Sequence, residues 1–352
     1  MLHVRKRTRQ KYSEACRPVL GNKVDGIAGK LIDLIAVFAL LAGTATTFSL
    51  ATPLLAGAIS SVTGIPQSTG LTLVILVIVC AIYTFSVYFG MKGVQLSAAT
   101  CTWLFFGLLA YVFFFGGQTR FIIEEGITAL GNLTQNFIGL ATWTDSLRTS
   151  SFPQTWTIFY WAYWMVWCVA VPFFIGSISK GRTLRQVILG GYVFGLSGTF
   201  TSFIIMGNYG LGLQMHGKLD VLSSYAADGN LYHAILDILG QLPLSKAVLV
   251  LLVLCMITFY STSFDSITMV ASTYTYKELQ SDEEPHRNVK LFWAIFLILL
   301  PLALIFSENS MSNLQTVSII AAFPVGIIML LIISSFFKDA DAYLKEQANP
   351  PE

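Results

Sequence analysis

The sequence predicts an all-α membrane protein that crosses the bilayer about eight times. Of its 352 residues, 55% are hydrophobic and only 11% charged, whereas soluble domains carry about 25% charged residues. No Asp, Glu, Lys or Arg occurs between Asp33 and Lys92. The apolar residues gather in runs near the roughly 20 needed to cross about 30 Å of hydrocarbon.

Eight runs bounded by charges, Pro or Gly qualify as spans: residues 29–59, 71–89, 98–116, 155–178, 187–207, 247–274, 291–306 and 315–337. The first and sixth are long, so tilt or extension beyond the bilayer is expected. Counting Lys and Arg on alternate sides places all but Arg120, Arg148, Lys218 and Lys246 of the 21 basic residues on one side. By the positive-inside rule that side is cytoplasmic, and both termini lie on it. The basic start, Met1 to Lys11, is followed by no apolar stretch until about Leu31. It reads as a cytoplasmic loop and not as a cleavable signal.

Two connections on the opposite side, residues 117–154 and 208–246, are too short for a domain, and each has room for one interfacial helix. In the first, Phe121, Ile127, Leu130, Leu133 and Phe137 recur at near-helical spacing, which suits a helix lying along the membrane surface.

The fourth span is the most informative. At 100° per residue, Trp156, Tyr160, Tyr163, Trp164 and Trp167 fall within an arc of about 100°, with Trp161 at its edge. Interfacial belts place Trp and Tyr near helix ends, yet this stripe runs about three turns inward. Tight helix packing accounts for such a stripe. So does a cage whose ring faces hold a cation without a hydrogen-bondable proton, the mode used for quaternary ammonium groups.

The sixth span holds a polar cluster, Thr258-Phe-Tyr-Ser-Thr-Ser-Phe-Asp-Ser266, in which Asp265 is the one acid deep within any span. Ionisable groups there are costly and mark functional positions, either coupling or structural. Hydroxyls of Ser261, Thr262, Ser263 and Ser266 could supply hard oxygen ligands to a small cation, or could bond back to their own helix. The first span adds Gly43-Thr-Ala-Thr-Thr47, small and polar residues that allow close helix approach.

Other chemistries lack support. Cys80, Cys101, Cys168 and Cys255 sit in apolar runs as small buried hydrophobes, with Cys16 in a basic segment. His3, His216, His233 and His286 fall in polar connections away from metal-ligand spacing. There is no phosphate-binding loop, nucleophile elbow or dinucleotide fingerprint. An intramembrane enzyme using Asp265 would need an acid/base partner that the sequence does not place, and no pore repeat points to a channel. No cofactor and no nucleic-acid partner are expected.

Three stretches resemble the betaine/carnitine/choline transporter family: Phe152-Pro-Gln-Thr-Trp-Thr-Ile-Phe-Tyr-Trp-Ala-Tyr-Trp164, Ile178-Ser-Lys-Gly-Arg-Thr-Leu-Arg185 and Thr262-Ser-Phe-Asp-Ser266. Asp33 to Phe38, Gly43 to Thr47, Gly90-Met-Lys-Gly93 and Trp143-Thr-Asp145 extend the resemblance over nearly the whole chain. It implies a partial LeuT-like core of two inverted five-helix repeats that lacks the first two helices of repeat one, with alternating access about a midplane site. The division is then a basic segment 1–28, a transporter domain 29–338 and a tail 339–352. Within the domain, 29–118 is an incomplete first repeat, 119–154 the surface-helix region and 155–338 the second repeat.

Carried over by position, the resemblance assigns Trp161, Tyr163, Trp164 and Trp167 to a substrate-facing aromatic helix and Trp156 to an outer recognition site. Tyr163 stands where most members have Trp. Phe259, Thr262 and Ser263 match sodium-binding positions. A second sodium position would use Thr44, flanked by Leu40 and Ala170 where a hydroxyl and an aromatic are expected. The implied function is secondary transport of a trimethylammonium compound such as glycine betaine, carnitine or choline, coupled to Na+, in a cell membrane and by analogy as a homotrimer. Two alternatives stand beside it: a sodium-independent exchanger, and a truncated fragment that does not transport.

Overall fold

The computed structural model describes residues 2, 7, 9–88, 91–228, 230–279, 283–305 and 311–348. Among them every regular element is helical. His3, Arg5, Lys6, Phe89, Gly90 and Phe306 of the sequence reading lie outside the described residues.

The chain enters through short turns at Glu14–Cys16, α1 (Arg17–Leu20) and Gly21–Asp25. The first span follows as α2 (Ile27–Thr63), which ends at Gly64 with φ +77°. That left-handed residue returns its N–H to Ser60 O at 2.8 Å, a conformation glycine adopts without a Cβ penalty. Next come α3 (Thr69–Tyr88) and α4 (Met91–Phe115). The first long connection holds two helices where one was expected, α5 (Thr119–Gln135) and α6 (Phe137–Thr142). Ile127, Leu130 and Phe137 of its predicted apolar face are exposed, while Ile122 and Gly126 turn inward.

The fourth predicted span, 155–178, is broken. A π turn at Pro153–Thr157 leads into α7 (Ile158–Trp167), and α8 (Val171–Ile178) restarts after three residues. Pro172 sits in the first turn of α8. It has no N–H to give Cys168 O and its ring crowds that carbonyl, which favours a restart at this point, although α2 runs on through Pro53.

The fifth span extends well past its predicted end. From α9 (Leu184–Ser202) the helix passes through a π turn at Phe203–Gly207 into α10 (Asn208–Met215). A reciprocal capping box between Thr183 and Gln186 starts it. The second connection then forms α11 (Val221–Asp228) and α12 (Leu231–Gly240). The last three spans are α13 (Ser245–Thr273), α14 (Arg287–Ile305) and α15 (Met311–Ala348).

Six unbroken helical stretches among the described residues are long and apolar enough to cross a membrane. They comprise α2, α3, α4, the α9–α10 rod, α13 and α15. The protein is therefore an all-α, multi-pass membrane protein. The remaining two of the eight predicted spans are helical as well, the broken α7–α8 pair and the 19-residue α14.

Two cores share α13. One joins α2, α3, α7, α14 and α15, and centres on Phe48, Tyr83, Tyr260 and Phe264. The other joins α4, α5, α10 and α12, and includes Leu108, Ile122, Tyr209 and Leu239. The basic segment straps one end of the first core. Ser13 N–H donates to Asp33 Oδ1 at 3.0 Å, Tyr12 N–H to Tyr274 OH at 3.3 Å, and Arg7 pairs with Glu14 and Asp339 at 3.2 Å each.

Where α2 meets α7, Gly43 sets the separation. A Cβ there would stand 2.9 Å from Val166 Cγ1 and 3.8 Å from the Trp167 indole nitrogen. The absence of a side chain lets the two helices close to this distance.

Candidate substrate and cation sites

The aromatic stripe lies on α7 and the turn before it, where α7 packs between α2 and α15. Trp156 and Tyr160 have ring centroids 6.1 Å apart, and Phe159 and Tyr163 lie at 5.6 Å. Tyr163 meets Trp164 at 6.3 Å and Trp167 at 6.1 Å, both edge-to-face. The stripe divides by exposure. Trp161 and Trp164 are 70% and 61% exposed, whereas Tyr163 and Trp167 turn toward the helix bundle.

Tyr163 is clamped. Thr47 of α2 donates its hydroxyl to Gly43 O at 2.9 Å, and the Tyr163 hydroxyl bonds the same Thr47 oxygen at 2.6 Å. The neighbouring Trp167 N–H is buried without an acceptor. The Gly43-to-Thr47 motif is thus the seam between α2 and its partners. Thr46 and Ser318 of α15 share a hydrogen bond of 2.7 Å, and Thr44 is fully buried with its hydroxyl on Leu40 O at 2.6 Å. Leu40 and Ala170 are buried as well, and they add no oxygen beside Thr44.

The polar cluster of α13 also divides. Measured round the helix from Ser261, Phe259, Thr262 and Ser263 lie on one side, about 100° to 200° away. Asp265 and Thr268 lie within about 40° of Ser261, on the other.

On the first side Phe259 is 43% exposed and meets Phe105 of α4 edge-to-face at 5.4 Å. The Thr262 hydroxyl donates to Thr258 O at 2.9 Å and lies 3.4 Å from Ser97 Oγ of α4. A hydroxyl that gives its proton to a carbonyl keeps lone pairs for a hard cation, so Thr262 and Ser263 fit Na+ in donor chemistry. Along the chain α13 packs against α8, the far half of the broken span, while α7 carries the aromatic stripe against α2 and α15.

On the second side Asp265 is fully buried, and Ser86 of α3 donates to its Oδ2 at 2.6 Å. Ser86 carried no signal in the sequence, being one hydroxyl in an apolar span 179 residues away. The i, i+4, i+7 spacing of Ser261, Asp265 and Thr268 was the readable sign of this second side. No group of three or more His, Cys, Asp or Glu side chains gathers at metal-binding distance among the described residues.

Ahead of the aromatic helix the chain is knotted round Asp145, itself 5% exposed. Its carboxylate accepts the backbone N–H groups of Thr149, Ser150 and Ser151 at 3.1, 2.9 and 2.8 Å and the hydroxyls of Thr149 and Ser150 at 2.8 and 3.1 Å. Burial alone would raise this carboxyl, but these hydrogen bonds outweigh it and hold it well below the usual carboxylate range. Gln154 Nε2 closes the knot on Thr144 O at 2.7 Å, fixing where the aromatic helix begins.

A groove of about 560 Å³ between α3 and α14 lies away from both sites, lined by Val77, Ala81, Phe85, Ile295, Ile298 and Leu302 among others. It is almost wholly apolar and suits acyl chains.

Comparison with known proteins bears on the whole chain. The family model for BCCT, betaine/carnitine/choline family transporter, matches residues 1–345. A carnitine transporter of Acinetobacter baumannii is 29% identical over 331 residues, 94% of this chain and 60% of that protein. The glycine betaine transporter OpuD of Bacillus subtilis is 31% identical over 338 residues, 95% of this chain and 64% of its own length. A probable glycine betaine transporter of Desulfitobacterium hafniense is 30% identical over 329 residues, covering 93% and 64%. The chain thus spans about three-fifths of the length of these relatives.

Proposed function

This chain belongs to the betaine/carnitine/choline transporter family, and we propose that it carries the aromatic half of a site for a trimethylammonium substrate in a Na+-coupled secondary transporter. The observation that carries the reading is the Tyr163–Trp167 pair. Two rings meet edge-to-face, Thr47 locks one of them in place, and the other offers a buried N–H with no acceptor.

A quaternary ammonium has no acidic proton to pair, so ring faces replace part of its hydration at about 0.5 to 2 kcal/mol per contact. Trp161 and Trp164 extend the set of faces outward, with Trp156 beyond them. The Trp167 N–H, which lies beside the Tyr163 hydroxyl without a well-formed bond to it, suits an oxygen at the other end of such a substrate. Na+ held by Phe259 O and the hydroxyls of Thr262 and Ser263 would couple to transport by binding one conformation more tightly than the other. A cation with equal affinity for both would shift nothing. Thr44 is at most a subsidiary position, since its hydroxyl is already committed to its own helix. The relatives' names support carnitine or glycine betaine as the substrate class. The same reading takes an inverted-repeat core working by alternating access, both termini in the cytoplasm, a cell membrane and a homotrimer.

Tryptophan fluorescence of the purified chain in detergent, titrated with glycine betaine, carnitine and choline in Na+ and again in K+, tests it. The expected result is saturable, Na+-sensitive quenching by one ligand, abolished in Trp164→Ala and Trp167→Ala proteins that remain folded. A folded parent that responds to none of the three, or variants that titrate like the parent, would overturn the proposal.

A further inference from the structure

The groove between α3 and α14 has a polar end as well as an apolar length. On the buried side of the same two helices, Tyr83 donates its hydroxyl to Ala294 O at 2.5 Å, which fixes their spacing there. Ile298 closes the bottom of the groove at 3% exposed, while Val77, Phe85 and Ile295 stand open on its walls. On α14 the lining residues Ile295, Ile298 and Leu302 repeat at helical spacing, and the same stripe continues back through Leu291 to Arg287. On α3 the lining runs from Val77 to Tyr88, about 16 Å of helix. That is close to the depth of one leaflet, half of about 30 Å of hydrocarbon.

At the Tyr88 end stands Arg287, the first residue of α14. Its guanidinium lies 5.1 Å from the centre of the Tyr88 ring, and Tyr88 is itself part of the groove's lining. The Arg287 side chain is exposed and makes no ion pair among the described residues. Nearby groups are committed elsewhere. Lys290 is paired with Glu284 at 3.0 Å, and His286 accepts the Asn288 N–H on Nδ1 at 3.3 Å. Stacking on an aromatic face leaves the N–H edge of a guanidinium free, and that edge matches a phosphate bidentately. The first turn of a 19-residue helix adds the positive end of its dipole beside the same side chain. An apolar groove with a cation at its mouth matches an amphiphile with an anionic head. A head that also carries an ammonium gains less, since Glu284 is already held by Lys290.

We propose that this groove binds one acyl chain of an anionic phospholipid, with the lipid phosphate held by Arg287 where it stacks on Tyr88. In a bilayer, apolar contact with a helix distinguishes one acyl chain from another only through packing. The shape of the groove therefore selects a chain, and Arg287 selects the head. The site does not depend on the substrate or sodium readings, because its lining comes from α3 and α14 and includes no residue of α7 or α13.

Native mass spectrometry of the purified chain in detergent, without substrate or Na+, tests it. Phosphatidylglycerol and phosphatidylcholine with identical acyl chains are titrated separately into the parent, Arg287→Gln, Arg287→Lys and Ala81→Trp. The expected result is one saturable phosphatidylglycerol site, half-filled at a concentration at least about fivefold below that for phosphatidylcholine. Arg287→Gln should abolish that preference, and Arg287→Lys, which keeps the charge without the bidentate edge, should retain part of it. Ala81→Trp fills the groove from an exposed position and should weaken the binding of both lipids. Should Ala81→Trp not fold, Val77→Trp fills the same groove one turn away. Equal binding of the two lipids by the parent, or a preference that survives Arg287→Gln, overturns the proposal. Lipid binding untouched by a folded groove-filling variant overturns it too, since the phosphate would then be held with no chain in the groove. So does a dimer that lipid fails to dissociate, which would put a second copy of the chain over this face.

Discussion

Two sides of one helix, α13, carry similar residues and meet different fates. The side with Ser261, Asp265, Thr268 and Ser272 is sealed, each residue 3% exposed or less. The side with Phe259, Thr262 and Ser263 faces α4 and is partly open, Phe259 being 43% exposed. In the sequence they form a single polar cluster. Polarity inside a span therefore has two meanings. Open hydroxyls are free to trade partners as an ion arrives or leaves, whereas sealed ones must be satisfied by what is already enclosed.

Hollowing out the sealed side should have the largest effect. Phe264→Ala removes a ring that is fully buried and lies 4.2 Å from Phe48, 5.6 Å from Tyr83 and 6.0 Å from Tyr260. It should cost about 3 to 5 kcal/mol in reversible unfolding by denaturing detergent, and an equal loss from Phe259→Ala would erase the distinction. A smaller effect is expected where α2 braces the sealed core. Thr52→Val leaves the Tyr260 hydroxyl, 2.9 Å from the Thr52 oxygen, with a 3.4 Å contact to Phe48 O alone. That should cost about 1 to 3 kcal/mol in the same assay. On the open side Thr262→Ala gives up a bond to its own helix and should change stability by less than about 1 kcal/mol.

The smallest effect concerns the entry knot, outside both sides of α13. Asp145 binds its proton more weakly folded than unfolded, so its contribution is fully present above its unfolded value, about pH 4. It should fade as pH falls below that value. Acid should therefore loosen residues 144–154 before the sealed core, as read by amide exchange. Asp145→Asn should flatten that pH dependence, and parallel loosening of both regions in the parent would show that the knot is not what acid releases.

Much of the fold was legible because hydrocarbon demands long uncharged runs, and residues 34–91 contain no charge at all. The break after Trp167 was not legible from Pro172 alone, because Pro53, Pro301 and Pro324 lie inside unbroken helices, and the apolar run across it reads as one span. Hydropathy does not register a missing N–H. The candidate site residues carry their chemistry in residue type and not in partnership. Thr44, Thr46 and Thr47 look alike in sequence, but one bonds only its own helix, one meets α15 and one holds Tyr163. Those choices depend on which neighbour arrives, and Ser86 reaches Asp265 from 179 residues away. The stripe geometry groups Tyr163 with Trp167, and their rings meet edge-to-face at 6.1 Å. Exposure then separates them from Trp161 and Trp164, a division set by which helices lie alongside.

The close approach at Gly43 has a consequence for how this sequence can drift. Because a methyl at position 43 would stand 2.9 Å from Val166 Cγ1, the two positions are one steric decision made on two helices. Alanine at 43 is accommodated when 166 shrinks in the same lineage, and a larger residue at 166 keeps 43 at glycine. Descendants that gain a side chain at 43 while 166 remains valine spread α2 from α7, lengthen the Thr47–Tyr163 bond and loosen the ring it fixes. Natural variation at positions 43 and 166 should therefore be correlated, and the order of substitution constrained, with the smaller residue at 166 arriving first.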